Sequence, residues 1–326
     1  AALPALPALP APHAVFAQQR TAQSRSGWRY CGLLQTKEVC LVNRLRKNGF
    51  GAWLKRQFRV MGAIARKDFL IFLRYPANAL MSVVEPIMWL APAYFMGQGF
   101  SVNGQAVGFA GFAGTSDYFS FAMMGMFMSS YISTAFWGTG FSVQEDMTLG
   151  VLEPNWVTPA SRVSLIIGRS VIMFVLTTLN SIGVLIVGAV LFHVNLTGNV
   201  LAAVITMLPM LVALTGLGLG IAGVVLSLRR AGTAIDISNW VVIQLSGTTF
   251  PVSVLPRPLL AVALALPTTY AFDAVRGIIL GTKTMLPLKV EIGIMLASTV
   301  GMCAAGYAVF RTFERRCRRQ GLLGTH

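Results

Sequence analysis

LSGTTFPVSVLPRPLLAVALALPTTYAFDAVRGIILG, residues 245–281, is an apolar stretch that prolines interrupt before it can complete a simple membrane crossing. Pro251, Pro256, Pro258 and Pro267 each remove a backbone donor and disfavour helix in the residue before them, so several short pieces fit better than one long helix. Lipid offers no partner to the N–H and C=O groups freed in this way. Such backbone is tolerated at membrane depth only where protein or a water-filled cavity meets it, which predicts a re-entrant element inside a transport protein.

Composition agrees with that setting. Of 326 residues, 55% are hydrophobic and only 11% charged. The positive mean hydropathy excludes an ordinary soluble domain of this length. A net charge of +15 would suit nucleic acid, but the basic residues gather at the ends of the chain and in short loops between apolar runs, as an orientation signal does. The reading is therefore of a membrane protein with no nucleic-acid partner. Cys31, Cys40, Cys303 and Cys317 form no CxxC pair and only His13, His193 and His326 are present, so neither a metal site nor a disulfide framework is indicated.

Residues 1–48 carry an ALP repeat and then a polar, basic run, which reads as a disordered tail. A secretory signal fits poorly, because the positive n-region is missing and prolines interrupt the apolar part. From residue 53 to 73 the pattern turns helical. Trp53, Leu54, Phe58, Met61, Ala65, Phe69 and Phe72 share one arc, and Lys55, Arg56, Arg59, Arg66 and Lys67 take the other, the pattern of an amphipathic helix lying in the bilayer interface.

Six apolar segments follow, at residues 77–96, 118–137, 171–192, 200–228, 235–250 and 290–310. The expected fold is all-α: six transmembrane helices, an N-terminal amphipathic interfacial helix and short re-entrant helices before the last span. In domain terms, residues 1–48 are the tail, 49–319 the transmembrane domain and 320–326 a short C-terminal tail. Thirteen Lys or Arg residues precede the first span, and Arg311, Arg315, Arg316, Arg318 and Arg319 follow the last. The loops 97–117 and 193–199 contain none, which places both termini in the cytoplasm and the protein in the plasma (inner) membrane. Arg257, Arg276, Lys283 and Lys289 run against this bias, and a dip that returns to its own side keeps the stronger C-terminal signal inside.

The loop after the second span reads GTGFSVQEDMTLGVLEPNWVTPASRVSLIIGRS, residues 138–170. Glu145, Asp146 and Glu153 precede Arg162 and Arg169, while Pro154 and Pro159 confine any helix to short pieces. Such a loop either presents a stubby helix to a soluble partner or is a solvated connection. Its order of Glu145, Gly150, Leu152-Glu153, Thr158-Pro159, Arg162 and Gly168-Arg169, followed later by Phe250-Pro251, Leu255-Pro256, Leu266-Pro267, Tyr270, Asp273, Arg276 and Gly281, resembles the ABC-2 type transporter permease family. The resemblance covers roughly residues 53–319. It implies an exporter permease that forms the translocation path as a dimer, with a second permease copy, and is bound to ATP-binding subunits. It also implies an ATPase-coupling loop at Glu145, Asp146, Gly150, Leu152, Glu153 and Arg162, and a re-entrant segment at Pro251, Pro256, Pro267, Tyr270, Asp273, Arg276 and Gly281. One departure is local: the family continues helix after the Leu-Glu pair, where this chain has Pro154 and Asn155.

No GxxxxGK[ST] loop is present, so ATP and Mg are expected in the partner subunit and no cofactor in this chain. HExxH and GxSxG are also missing, and no catalytic residue is assigned. Cargo under the resemblance is an amphiphile, drug-like or lipid-like, with saccharide next. The alternative is an ion-gradient-driven secondary transporter or channel, which needs several intramembrane ionisable groups; Glu85 is the one evident in the spans. Glu85, beside Pro86, either faces the translocation path or dimer interface, or hydrogen-bonds a neighbouring helix. Asp236 reads as a helix N-terminal residue. Asp273 and Arg276, three apart in a helical stretch, are expected to pair. The run Tyr118, Phe119, Phe121, Met123, Met124, Met126, Phe127, Met128 reads as packing ahead of a lipophilic path, and Gly216, Gly218, Gly220 and Gly223 as a site of close helix approach.

Overall fold

The computed structural model describes residues 50–100, 107–115, 117–157, 161–192, 198–228 and 231–320. The tail predicted over residues 1–48 lies outside them, as do the side chains of Glu85 and Glu153. By its packing the chain divides into two units, Ala1–Phe58 and Arg59–His326, and of the first only the start of helix α1 is described.

Among the described residues all regular structure is helical. In chain order the helices are α1 (Phe50–Arg74), α2 (Pro76–Phe100), α3 (Val107–Ala113), α4 (Tyr118–Ser133), α5 (Ser142–Thr148), α6 (Leu152–Val157), α7 (Arg162–Phe192), α8 (Val200–Val225), α9 (Gly232–Leu245), α10 (Arg257–Leu264), α11 (Pro267–Leu280) and α12 (Leu288–Gln320). A π-helical segment, Thr134–Gly140, continues α4, and a 3₁₀ turn, Val252–Val254, precedes α10.

Each predicted apolar segment falls on one of these helices. Three of them, within α7, α8 and α12, are long and apolar enough to cross a membrane, and the bent pair α10 and α11 brings the number to four if counted as one span. At 31, 26 and 33 residues, these three rise roughly 46, 39 and 50 Å, beyond a hydrocarbon core of about 30 Å. The fifth predicted segment is corrected. Helix α9 ends at Leu245, where Gly247 takes a left-handed φ of 77°, so the chain leaves the helix before Phe250. Asp236 is also corrected: α9 starts at Gly232, which leaves Asp236 exposed beyond the first three helical positions.

The centre of the bundle is α8. One face lies on α12, where a Cβ at Gly223 would meet the Phe310 backbone and one at Gly306 would fall on the Gly216 carbonyl. Its other face lies on the π-helical segment, where a Cβ at Gly218 would stand 3.0 Å from the Ala135 carbonyl. Small residues thus bring backbones together, the packing available to helices in lipid. Between α4 and α7 runs a ladder of hydroxyls: Ser130 with Ser181 at 3.2 Å, Tyr131 with Thr178 at 3.0 Å and Thr134 with Thr177 at 2.6 Å. The aromatic and methionine run at the start of α4 is mainly core, with Met124 and Met128 in the central cluster and Met123 against Leu90 and Phe119. Outward, large apolar side chains such as Leu80, Phe95, Leu179, Ile186, Leu201 and Val300 stay exposed, a surface suited to lipid.

Candidate functional sites at the two ends of the bundle

Helix α12 separates two clusters of polar side chains. Glu291 stands at one end and Glu314 at the other; 314 − 291 gives 23 residues, about 35 Å along the axis.

The first cluster is the proline-broken segment. Each proline sits where its missing N–H costs nothing: Pro251 before the 3₁₀ turn, Pro256 at the N-cap of α10, and Pro267 at the first position of α11. Helices α10 and α11 meet at 86°, and at 8 and 14 residues they rise only about 12 and 21 Å. The carbonyls freed at the breaks are met by side chains. Thr269 donates to Ala263 O at 2.6 Å and Tyr270 to Leu264 O at 2.8 Å, closing the end of α10. Thr248 donates to Ile243 O at 2.9 Å, closing the end of α9. Gly281, at φ 65°, ends α11 with a left-handed cap.

Arg276 does more than its spacing suggested. It is buried at 3% exposure, donating from Nη1 to Gly247 O at 2.6 Å and from Nη2 to Thr248 O at 2.5 Å. Its guanidinium carbon lies 3.6 Å from the centroid of the Phe121 ring, a cation–π contact. Gly125 makes room, because a Cβ there would collide with the Thr248 carbonyl and Arg276 Nη2. The expected Asp273/Arg276 ion pair is therefore not what forms. Asp273 instead accepts the Met285 N–H at 2.6 Å, because carbonyls exposed by the broken helix compete successfully for the guanidinium. Glu291, not singled out in the sequence, is fully buried and accepts the next amide of the same loop, the Leu286 N–H, at 3.1 Å. A cavity of about 400 Å³ including its open mouth lies against Phe121, Phe272, Asp273, Arg276 and Lys283.

The second cluster is the loop between α4 and α7. Glu145 and Asp146 on α5 both turn to Arg169 on α7, at 2.7 and 3.2 Å. Burial pushes the Asp146 carboxyl above its ordinary pKa, and the Arg169 charge opposes that rise. Gln144, also on α5, accepts the Ala231 N–H just before α9 at 2.9 Å. Arg162, at the start of α7, pairs with Glu314 on α12, so it holds two helices together. Gly150 turns the chain at φ 66°, and Leu152 enters a core formed with Val143, Ile166, Leu219, Leu226 and Phe310. Pro154 does not stop α6, because it lies in the first turn, where no N–H is needed. Leu149 and Val151 flank Gly150 and remain 67% and 40% exposed.

Sequence reasoning reached Glu145, Asp146, Tyr270 and Arg276. It missed Arg169 as the clamp, Glu291, and Gly125 as the space for Arg276. Spacing carries no signal for partners such as Arg169 and Asp146, 23 residues apart, or Gly125 and Arg276, 151 apart.

A family model described as ABC-2 type transporter matches residues 59–280. No curated protein matches the chain.

Proposed function

The chain belongs to the ABC-2 type transporter family, so it is a membrane permease component of an ABC transporter and not a nucleotide-binding domain, and from that premise we propose how it works. Two copies form an export path in the plasma membrane, each with six crossings and both termini in the cytoplasm. An ATP-binding subunit, using ATP and Mg, docks on the loop joining α5 and α6. The cargo is an amphiphile, drug-like or lipid-like, with saccharide next.

The observation that carries this reading is the construction of the loop. Leu149 and Val151 offer an exposed apolar tip, while everything behind it is tied to the bundle: Glu145 and Asp146 to α7 through Arg169, Gln144 to the residue before α9, and Leu152 to the core of α7, α8 and α12. A push on such a tip moves several helices at once. Charge supports its side. Lys67 of α1 acts on Asp146, exposed Arg311 lies one turn before Glu314, and exposed Arg315, Arg316 and Arg319 extend α12 past it, so basic residues gather at this end. Arg276, one of four basic residues against the bias, is buried inside the fold and leaves the opposite loops.

The test uses the permease purified together with its ATP-binding subunit. Leu149→Asp, or Glu145→Lys with Glu153→Lys, should leave the permease folded and lower ATP-driven transport at least tenfold. Unchanged transport and ATPase stimulation in both variants would remove the loop from coupling. Transport by the permease alone, driven by an ion gradient without nucleotide, would replace the whole reading with the secondary-transporter alternative.

A further inference from the structure

The cavity of about 400 Å³, its open mouth included, lies between the proline-broken segment and the loop that follows α11. Arg276, Phe121 and Phe272 line it from the helices, Thr282 and Lys283 from the loop. Helix α3 supplies part of the rim. Gly114, at φ 71°, sits so close to the loop that a Cβ there would stand 2.8 Å from the Lys283 amide nitrogen, and this contact holds Phe112 at the cavity. Phe112 and Met285, both lining residues, stay 66% and 41% exposed, so the rim is apolar and open to lipid.

Charge around this cavity does not balance. Arg276 directs Nη1 and Nη2 to two neutral carbonyls, Gly247 O and Thr248 O, and its buried Nε has no partner. Among the described residues neither Arg276 nor Lys283 forms an ion pair. The one carboxylate that lines the cavity, Asp273, accepts the Met285 N–H, while Glu291 does not line it and accepts the Leu286 N–H. Thr282 adds a second buried polar atom without a partner, its Oγ1. A buried charge is stable when opposite charge or hydrogen-bonding groups meet it, and what this lining lacks is an acceptor that carries negative charge. Water would satisfy the donors and leave the excess charge.

We propose that the cavity binds the singly charged anionic head group of an amphiphile, a carboxylate or a phosphodiester, whose apolar chain leaves over Phe112 and Met285 toward lipid. Lys283 on the exposed loop pairs with the head group, and Thr282 offers it a hydroxyl. Arg276 stabilises it from the buried side with the charge that two carbonyls do not cancel, an effect strengthened by the low dielectric of the surroundings. Two cations against Asp273 leave one positive charge in the lining, the match of a monoanion. A bare ion would meet the same charges but leave the apolar rim unused. No bond is made or broken, and the site stands at the end of α12 away from the α5–α6 loop, so it does not depend on how that loop works.

The test needs neither ATP nor the ATP-binding subunit, so its failure is distinct from failure of the export reading. The full chain in phosphatidylcholine nanodiscs is dialysed to equilibrium against labelled dodecanoate, and the uptake of protein-free nanodiscs is subtracted. Saturable binding near one molecule per chain is expected. Lys283→Glu should weaken it about tenfold or more and Thr282→Val several-fold, whereas Lys289→Glu, exposed and outside the cavity, should change it by less than about twofold. Dodecanol should not displace the label, and acetate should do so only at concentrations roughly a hundredfold above those of unlabelled dodecanoate. Absence of saturable binding, equal binding by the native chain and Lys283→Glu, or displacement by dodecanol as readily as by dodecanoate overturns the anion site. Acetate that displaces as well as dodecanoate overturns the amphiphile and leaves a site for a free ion. Should Lys283→Glu fail to fold, Lys283→Gln, with the charge removed and not reversed, decides by the same ratio, expected several-fold below native and overturning the site if equal to it.

Discussion

Arg276 donates to two consecutive carbonyls, Gly247 and Thr248, in the turn that ends α9, and lays its guanidinium on Phe121 of α4. Three elements far apart in sequence are held by one side chain. Losing it removes two charge-assisted hydrogen bonds, each worth roughly 1.5 to 3 kcal/mol, and strands their carbonyls in a buried place. Arg276→Ala should therefore cost on the order of 3 kcal/mol or more, seen as a lower melting temperature of the detergent-purified protein. Arg276→Lys should recover little, since an ammonium cannot reproduce the planar fork. Arg315→Ala, at an exposed position, should stay within about 0.5 kcal/mol of the native chain. Gly125→Ala tests the same contact from the other side. A methyl group there must displace the Thr248 carbonyl, at a cost of roughly 1 to 3 kcal/mol, though it touches no charge itself.

Among the elements, the pair α5 and α6 is joined through a left-handed glycine, Gly150. Gly150 holds φ 66° with no atom near the position of a Cβ, so Gly150→Ala changes only the backbone preference. It should cost roughly 1 to 2 kcal/mol through strain and be partly relieved by Gly150→Asn, both read from thermal unfolding. Pro154→Ala should be close to neutral by the same measurement, because the proline occupies the first turn of α6. The π-helical segment Thr134–Gly140 joins this loop to α4 and presses on α8 at Gly218. It is the direct structural route from the loop to the centre of the bundle.

Across the whole molecule, the α8–α12 contact sets how the other helices arrange. Gly216, Gly223 and Gly306 lie where backbone atoms of the facing helix approach to side-chain distance. Gly216→Val or Gly223→Val should force the two helices apart and lower the yield of monodisperse protein in size-exclusion chromatography several-fold, while Gly301→Val, with open space at its Cβ, should not.

How much of this was legible in the chain differs by kind of signal. Composition, apolar runs and proline spacing are local, and each predicted segment and the break near Pro251 to Pro267 lie on the corresponding elements. The end of α9 was placed too late because apolar character continues to Phe250 while Gly247 already turns the chain. For the sites, the order of residues around Glu145 to Arg162 and Pro251 to Gly281 pointed to the family, and a match over residues 59–280 shows it.

What the chain alone determined is that it lives in a membrane, which segments are apolar and where backbone must break, because burial in lipid and the missing proline donor act on each residue wherever it sits. Partnership was decided only by the tertiary structure. Asp273 and Arg276 had the spacing of an ion pair, yet the broken helices exposed carbonyls at Gly247 and Thr248 that took the guanidinium, and the loop at Met285 and Leu286 took the acid. Glu291 and Asp273 came to adjacent amides of one loop because α11 and α12 pack on each other, an approach that sequence spacing does not encode.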